Sequence, residues 1–317
     1  MPDTGVSAGT KVYFDVDHAY IDHLNGECVE WAGMDGEALR ETLRAQGETW
    51  YTLVTERCPH LFAAAPVYIT PVQLRQMRSV IAAVERVVAL PGWFGGGDSP
   101  EEKAVDAAPA NCLGAFMGYD FHLNEEGAHL IEINTNAGGG FLNELLLDSQ
   151  SEADLYGAAP EEENLEQTFL DMFHNEWVLA RGDAPLTSIA IVDERPEEQY
   201  LYPEFLLAQK MFERAGITAC IADPSAFEAR GDGLYLDEQK IDLVYNRLTD
   251  FSLQQHAALR QAYLDGSVVM TPNPAHYARY ADKRNLVRLT DADALRALKA
   301  SAEDIAILQE GVPQARL

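Results

Sequence analysis

Residues 118–140 read Gly-Tyr-Asp-Phe-His-Leu-Asn-Glu-Glu-Gly-Ala-His-Leu-Ile-Glu-Ile-Asn-Thr-Asn-Ala-Gly-Gly-Gly. The pattern predicts two apolar strands joined by a tight turn, with acids set inside the strands. A polar group among apolar neighbours is costly unless it has a partner. Leu130-Ile131-Glu132-Ile133-Asn134 alternates with period two, which sends Glu132 and Asn134 to one face and Ile131 and Ile133 to the other. Glu125-Glu126-Gly127 predicts a three-residue turn ending in a left-handed glycine. That turn pairs Asn124 with Ala128 and, further along, Asp120 with Glu132. On this register Asp120, Glu132 and Asn134 share a face, His122 joins Asp120, and His129 lies on the opposite side. Two carboxylates and an amide suit a hard cation such as Mg²⁺, which takes oxygen ligands and completes its shell with phosphates.

Outward from the hairpin, the chain has 317 residues, enough for two domains. It carries 23 Lys and Arg against 51 Asp and Glu, a formal charge of −28. Such a surface repels nucleic acid and anionic membranes, so neither is expected as a partner. No apolar run approaches the roughly 20 residues that span a bilayer. Cys28, Cys58, Cys112 and Cys220 form no Cys-x-x-Cys pair. That fits a reducing compartment rather than a zinc site or disulfide framework. The first residues lack the basic and apolar regions of a secretory signal, so the expected location is cytoplasmic.

Helices are expected over 36–46, 70–90, 164–180, 202–215 and 254–264, and strands over 11–16, 188–192, 217–221, 243–245 and 268–270. A small hairpin is expected at 234–236 and 240–241, and an acidic surface loop over 151–164. Strands alternating with helices after Leu186 imply a small parallel α/β sheet.

The hairpin resembles the metal-binding strands of ATP-grasp ligases, in which an Asp on one strand and Glu-x-Asn on the next, followed by a glycine loop, hold Mg²⁺ against ATP. Asp120, Glu132 and Asn134 match that pattern, and Ala137-Gly138-Gly139-Gly140 stands where the loop belongs. Here the hairpin precedes the α/β unit, whereas most members have the reverse order. The arrangement resembles that of circularly permuted ATP-grasp proteins related to glutathionylspermidine synthase. Ser188–Val192 followed by Glu204–Ala208, the run Asp242–Asp250 containing Tyr245-Asn246-Arg247, and Asp282-Lys283 with Gly311-Val312-Pro313 downstream support it.

The resemblance implies an α/β fold in three parts: an ATP-grasp subdomain over 1–183, an α/β domain over 184–280, and the start of a second ATP-grasp subdomain over 281–317. It implies ATP and Mg²⁺ as cofactors, with small-molecule or peptide carboxylates and amines as substrates. Asp120, Glu132 and Asn134 become the metal ligands and Lys283 a phosphate contact. The Gly138, Gly139 and Gly140 amides and Arg247 then hold the acyl phosphate or the carboxylate. Arg247 also stands on its position at the end of a strand, where open α/β sheets gather ligand-binding groups; the alternative is an ion pair with Asp250 or Asp242.

Two departures qualify the resemblance. The family's second lysine and phosphate loop belong after Gly311-Val312-Pro313, but the sequence stops at Leu317, so a truncated member is expected. Gly118 also stands where D-alanine–D-alanine ligase has an arginine. A second reading is a non-catalytic nucleotide- or peptide-binding module that keeps the fold without the full clamp. Asp15-Val16-Asp17 lacks the Thr that a phosphatase of the haloacid-dehalogenase type needs, with Ala19 in its place. His18, Asp22 and His23 read more simply as helix-surface or substrate-pocket residues than as metal ligands. Gly95–Gly97 has neither the leading strand nor the following Lys of a phosphate-binding loop.

Overall fold

The computed structural model describes residues 35–63, 67–93, 112–149 and 164–314, together with Asn25 and Lys103. The expected strand at 11–16, the Asp15 to His23 motifs, Gly95–Gly97 and the acidic loop up to residue 163 lie outside the described residues.

Helices α1 (Gly36–Ala45) and α2 (Glu48–Arg57) form a hairpin. Asp35 caps α1 by accepting from the Glu37 and Ala38 amides. Helix α2 was not expected; Gly47, at φ 111°, makes the sharp turn that starts it. Helix α3 (Pro71–Val88) has Pro71 at its first position and a reciprocal Thr70–Gln73 capping box. Strands β1 (Gly118–Asn124) and β2 (Gly127–Asn134) are the hairpin. Helices α4 (Gly140–Asp148) and α5 (Leu165–Arg181) follow.

The α/β unit contains β3 (Ser188–Val192), α6 (Tyr202–Arg214), β4 (Thr218–Ala222), β8 (Leu243–Asn246), α7 (Ala257–Leu264) and β9 (Val269–Thr271). Its strands are parallel, in the order β4-β3-β8-β9. They are continuous apolar runs because both faces are covered. A separate antiparallel sheet holds β5 (Phe227–Arg230), β6 (Gly233–Leu236) and β7 (Gln239–Ile241), one strand more than expected. Three short helices end the described chain: α8 (Arg284–Thr290), α9 (Ala292–Ala297) and α10 (Ala302–Gly311). The molecule is thus α/β, as expected.

Three apolar cores organise these elements. One lies between a face of the parallel sheet and α1, α2, α4, α5 and α6, with Phe141, Phe173, Phe205, Phe212 and Tyr245 at its centre. A second fills the opposite face with Leu234, Ile241, Leu259 and Met270. The third joins α3 to the hairpin and to α8–α10 through Val80, Val84, Leu130, Ile133, Leu289 and Leu308. Helices α4 and α5 share a core with the parallel sheet, and the last helices share one with the β1–β2 hairpin.

Candidate functional site

The hairpin turn is tighter than expected. Asn124 pairs with Gly127, not with Ala128, and the loop is the two residues Glu125-Glu126. The Asn124 carboxamide accepts from the Glu126 and Gly127 amides, and Gln76 on α3 accepts from the Ala128 amide. A β-bulge between Asp120 and Phe121 then absorbs one residue, so that Asp120 still opposes Glu132. The extra residue is Ile131. It is 40 % exposed while Ile133 is buried, so the expectation that the two share one face is corrected; Ala128 and Leu130 are buried with Ile133. His129 pairs directly with His122 and therefore shares the outer face, also a correction.

On that outer face the Asn134 amide donates to Asp120 Oδ2 at 3.3 Å. Lys283 Nζ lies 3.6 Å from Glu132 Oε1, and its side chain is largely exposed. Two carboxylates, an amide and an ammonium thus meet from β1, β2 and the segment before α8. That last segment is pinned. Glu85 on α3 accepts from both the Tyr119 and Tyr280 hydroxyls. Burial, reinforced by the Glu85 bond, raises both phenols well above the usual tyrosine range. Trp93 Nε1 donates to the Arg279 carbonyl and Asn285 to that of Ala278. Sequence reasoning missed Glu85, because its two partners come from remote segments.

The donor set fits a hard cation that arrives with further oxygen ligands. Among the described residues no group of three or more His, Cys, Asp or Glu side chains is arranged to hold a metal. Asp120 and Glu132 would offer two charged oxygens, and Asn134 would offer a third ligand only with its carboxamide turned from the present bond to Asp120. Mg²⁺ commonly takes one or two carboxylates and fills its octahedron with phosphate and water.

Arg247 stands at the strand end where it was expected, but its side chain bonds to backbone within the protein. It sits just beyond β8, and its amide donates to the Val192 carbonyl of β3. The chain leaves β3 toward β4 and β8 toward β9, so these two strand ends flank the crevice where the strand order reverses. Here the loop after Asn134 occupies that crevice. Arg247 is only 7 % exposed, and its Nη1 donates to the Asn136 and Ala137 carbonyls at 2.7 and 3.0 Å. It pairs with neither Asp250 nor Asp242; Asp242 accepts instead from Thr187 and Ser188.

Glu204, at the start of α6, completes the clasp. It is 1 % exposed and accepts from Gly139 N at 2.8 and 2.9 Å and from Phe141 N at 3.2 Å. Burial raises its pKa; the amide bonds and Arg247 oppose that shift. The amide of Gly139 is therefore already engaged by an internal carboxylate. The glycines suit this packing. Gly139 has φ 95°, and a Cβ on Gly138 would stand 2.4 Å from Leu201 Cδ1 and 3.0 Å from Arg247 Nη2. Asp193, one residue past β3, is pushed up to about 6 by burial. In the sequence the only signal for Glu204 was an acid inside the apolar run Tyr202–Ala208.

A cavity of about 400 Å³ adjoins the Lys283 segment, walled by Asp250, Phe251, Gln254, Tyr277 and Asp282. The Phe251 and Tyr277 rings stack there at 4.0 Å.

Comparison with known proteins now bears on this geometry. No protein-family model matches the chain, and no curated protein matches it in sequence. Among solved structures, it is similar to a glutathione synthetase-like effector from Globodera pallida in its apo form. The identity is 15 % and the TM-score 0.56, over 79 % of this chain. The match spans 63 % of that structure, less than two thirds of its length. At this identity the likeness concerns the fold alone. Among the described residues no helix is long and apolar enough to cross a membrane.

Proposed function

We propose that this chain is an ATP-dependent carboxylate–amine or carboxylate–thiol ligase, in the circularly permuted order, or the part of one that carries the metal face. One observation carries the reading: Asp120 opposes Glu132, Asn134 bonds to Asp120, and Lys283 reaches Glu132 from a distant segment. In the proposed reaction a substrate carboxylate oxygen attacks the γ-phosphorus of ATP, the bond to the β-phosphate oxygen breaks, and ADP leaves. An amine nitrogen or thiolate sulfur then attacks the acyl carbon and phosphate departs with the C–O electron pair; when the nucleophile is an amine, its proton passes to solvent. Bound Mg²⁺ would neutralise charge on the phosphate oxygens. Asp120, Glu132 and Asn134 would hold it, and Lys283 would contact a phosphate. The cavity beside Asp282 is the candidate seat for a substrate.

Arg247 and the Gly139 amide do not share in this chemistry as they stand, since their bonds are internal. That observation favours a second reading, a binding module that retains the fold without turnover. Two measurements separate the readings. A thermal shift with Mg²⁺–ATP that disappears in Asn134→Ala supports the metal face, and a large shift that ignores this substitution overturns it. ADP release across a panel of amino acids, polyamines and small peptides supports ligation; nucleotide binding without ADP release favours the module.

A further inference from the structure

We infer that Lys283 selects for metal delivered as a nucleotide complex and excludes the free divalent ion. The inference rests on the ligase reading and adds a specificity role to a residue of that site. The ammonium stands 3.6 Å from Glu132 Oε1, on the face where Asp120 and Asn134 also converge. Its neighbours Asp282 and Arg284 pair with each other at 2.5 Å, and Lys283 sets its ammonium against a hairpin carboxylate. The face then holds two carboxylates and one ammonium. A free divalent ion would have to bind beside a positive charge already seated on one of its ligands.

The arrival of polyphosphate reverses that balance. Its oxygens offer the ammonium a stronger partner, so the exposed, flexible lysine swings from Glu132 to phosphate. The same carboxylate is then released to the ion. One side chain thus weakens the ion alone and strengthens the complex. The Trp93 bond to the Arg279 carbonyl and the Tyr280 hydroxyl bond to Glu85 anchor the segment before Lys283, whose own side chain is 79 % exposed and free of packing that would oppose such a swing.

The test is Mn²⁺ binding to the full chain, followed by electron paramagnetic resonance of the free ion, with and without ATP. A singly and a doubly charged group about 5 Å apart in a water-like medium repel enough for roughly a tenfold change in affinity. Lys283→Met is therefore expected to bind Mn²⁺ alone about tenfold more tightly than the parent, with the gain shrinking as salt is raised. The same variant is expected to bind Mn²⁺–ATP more weakly than the parent. Equal or lower affinity for Mn²⁺ alone in Lys283→Met, in a protein whose Mn²⁺–ATP binding still needs Glu132, overturns the selective role and leaves the ligase reading standing. If Glu132→Gln changes Mn²⁺ binding in neither form, the metal face itself is wrong and both fall.

Discussion

Two charged constellations lie close together in the chain and are built on opposite principles. In the crevice at the ends of β3 and β8, Arg247 and Glu204 are almost fully buried, and their bonds close on backbone groups of residues 136–141. On the outer face of the β1–β2 hairpin, Asp120, Glu132 and Lys283 are open, held by one 3.3 Å bond and one 3.6 Å ion pair. A buried charge must be satisfied inside the protein. An exposed charge is satisfied by water and can exchange it for a ligand. The position that fold topology marks for ligands is thus used to seat a loop. On the proposed function, the crevice is the platform and the hairpin face is the binding surface.

The comparison predicts its largest effect at Glu204. Glu204→Ala removes the acceptor of the Gly139 and Phe141 amides and leaves the Arg247 charge without its compensating carboxylate. We expect a loss of about 3–4 kcal/mol in chemical denaturation. Glu204→Gln keeps one acceptor oxygen and drops a charge that burial disfavours, so it costs less, about 1–2 kcal/mol. A loss below about 1 kcal/mol in Glu204→Ala would mean that the crevice is not a structural clasp.

Next comes the platform behind the hairpin. A Cβ on Gly311 would stand 2.2 Å from Val80 Cγ2, where α10 meets α3. Val80 is fully buried and β-branched, so it cannot turn away cheaply. Gly311→Ala should cost about 1–3 kcal/mol by the same measurement. Because α3 carries Glu85 and Gln76, it should also loosen the hairpin, which hydrogen exchange of the β1 and β2 amides would report. Unchanged exchange would show that the hairpin holds its shape without α10.

The crevice should respond to pH. The Asp193 carboxyl is held at about 6 by burial, above its ordinary 3.8. A group whose folded pKa is raised contributes stability that is complete below the unfolded value and is lost as pH climbs through the folded one. The parent should therefore lose stability between pH 4 and pH 6.5 relative to Asp193→Asn. Discounted for partial exposure, the difference should reach about 1 kcal/mol. Parallel stability curves for the two proteins across that window would remove Asp193 from the list of strained groups.

How these features stood in the sequence follows from the range of the forces that fix them. The parallel strands were legible because both faces are covered, which makes Ile189–Val192 and Leu243–Tyr245 apolar runs between turn signals. The long helices were legible from periodicity and caps, as at Thr70-Pro71. The hairpin was legible in outline only. Leu130-Ile131-Glu132-Ile133 supports two registers equally, and the choice is made by Gln76 at the turn and the bulge at Ile131. Two one-residue shifts cancel, so Asp120 faces Glu132 although the path between them differs. Glu204, Glu85 and the buried state of Arg247 depend on partners remote in sequence. In the sequence each was an acid or base beside apolar residues, which marks a need for a partner but does not name it.

The smallest stability effect belongs to the open face, and there the comparison is sharpest. Asp120 is exposed and bonds only to the Asn134 amide among the contacts described. Asp120→Asn keeps the shape and a hydrogen-bonding group, so unfolding free energy should change by less than about 0.5 kcal/mol. The stabilisation conferred by a saturating ligand scales with the logarithm of its concentration over Kd. Removing one of two carboxylate ligands should therefore erase most of the Mg²⁺–ATP thermal shift while leaving the ligand-free melting temperature in place. The Glu204 variants should do the reverse, lowering the ligand-free melting temperature while the remaining folded protein still responds to ligand. If Asp120→Asn instead destabilised the free protein and left the ligand shift intact, the two regions would have exchanged roles, and the binding face would have to be sought at the crevice.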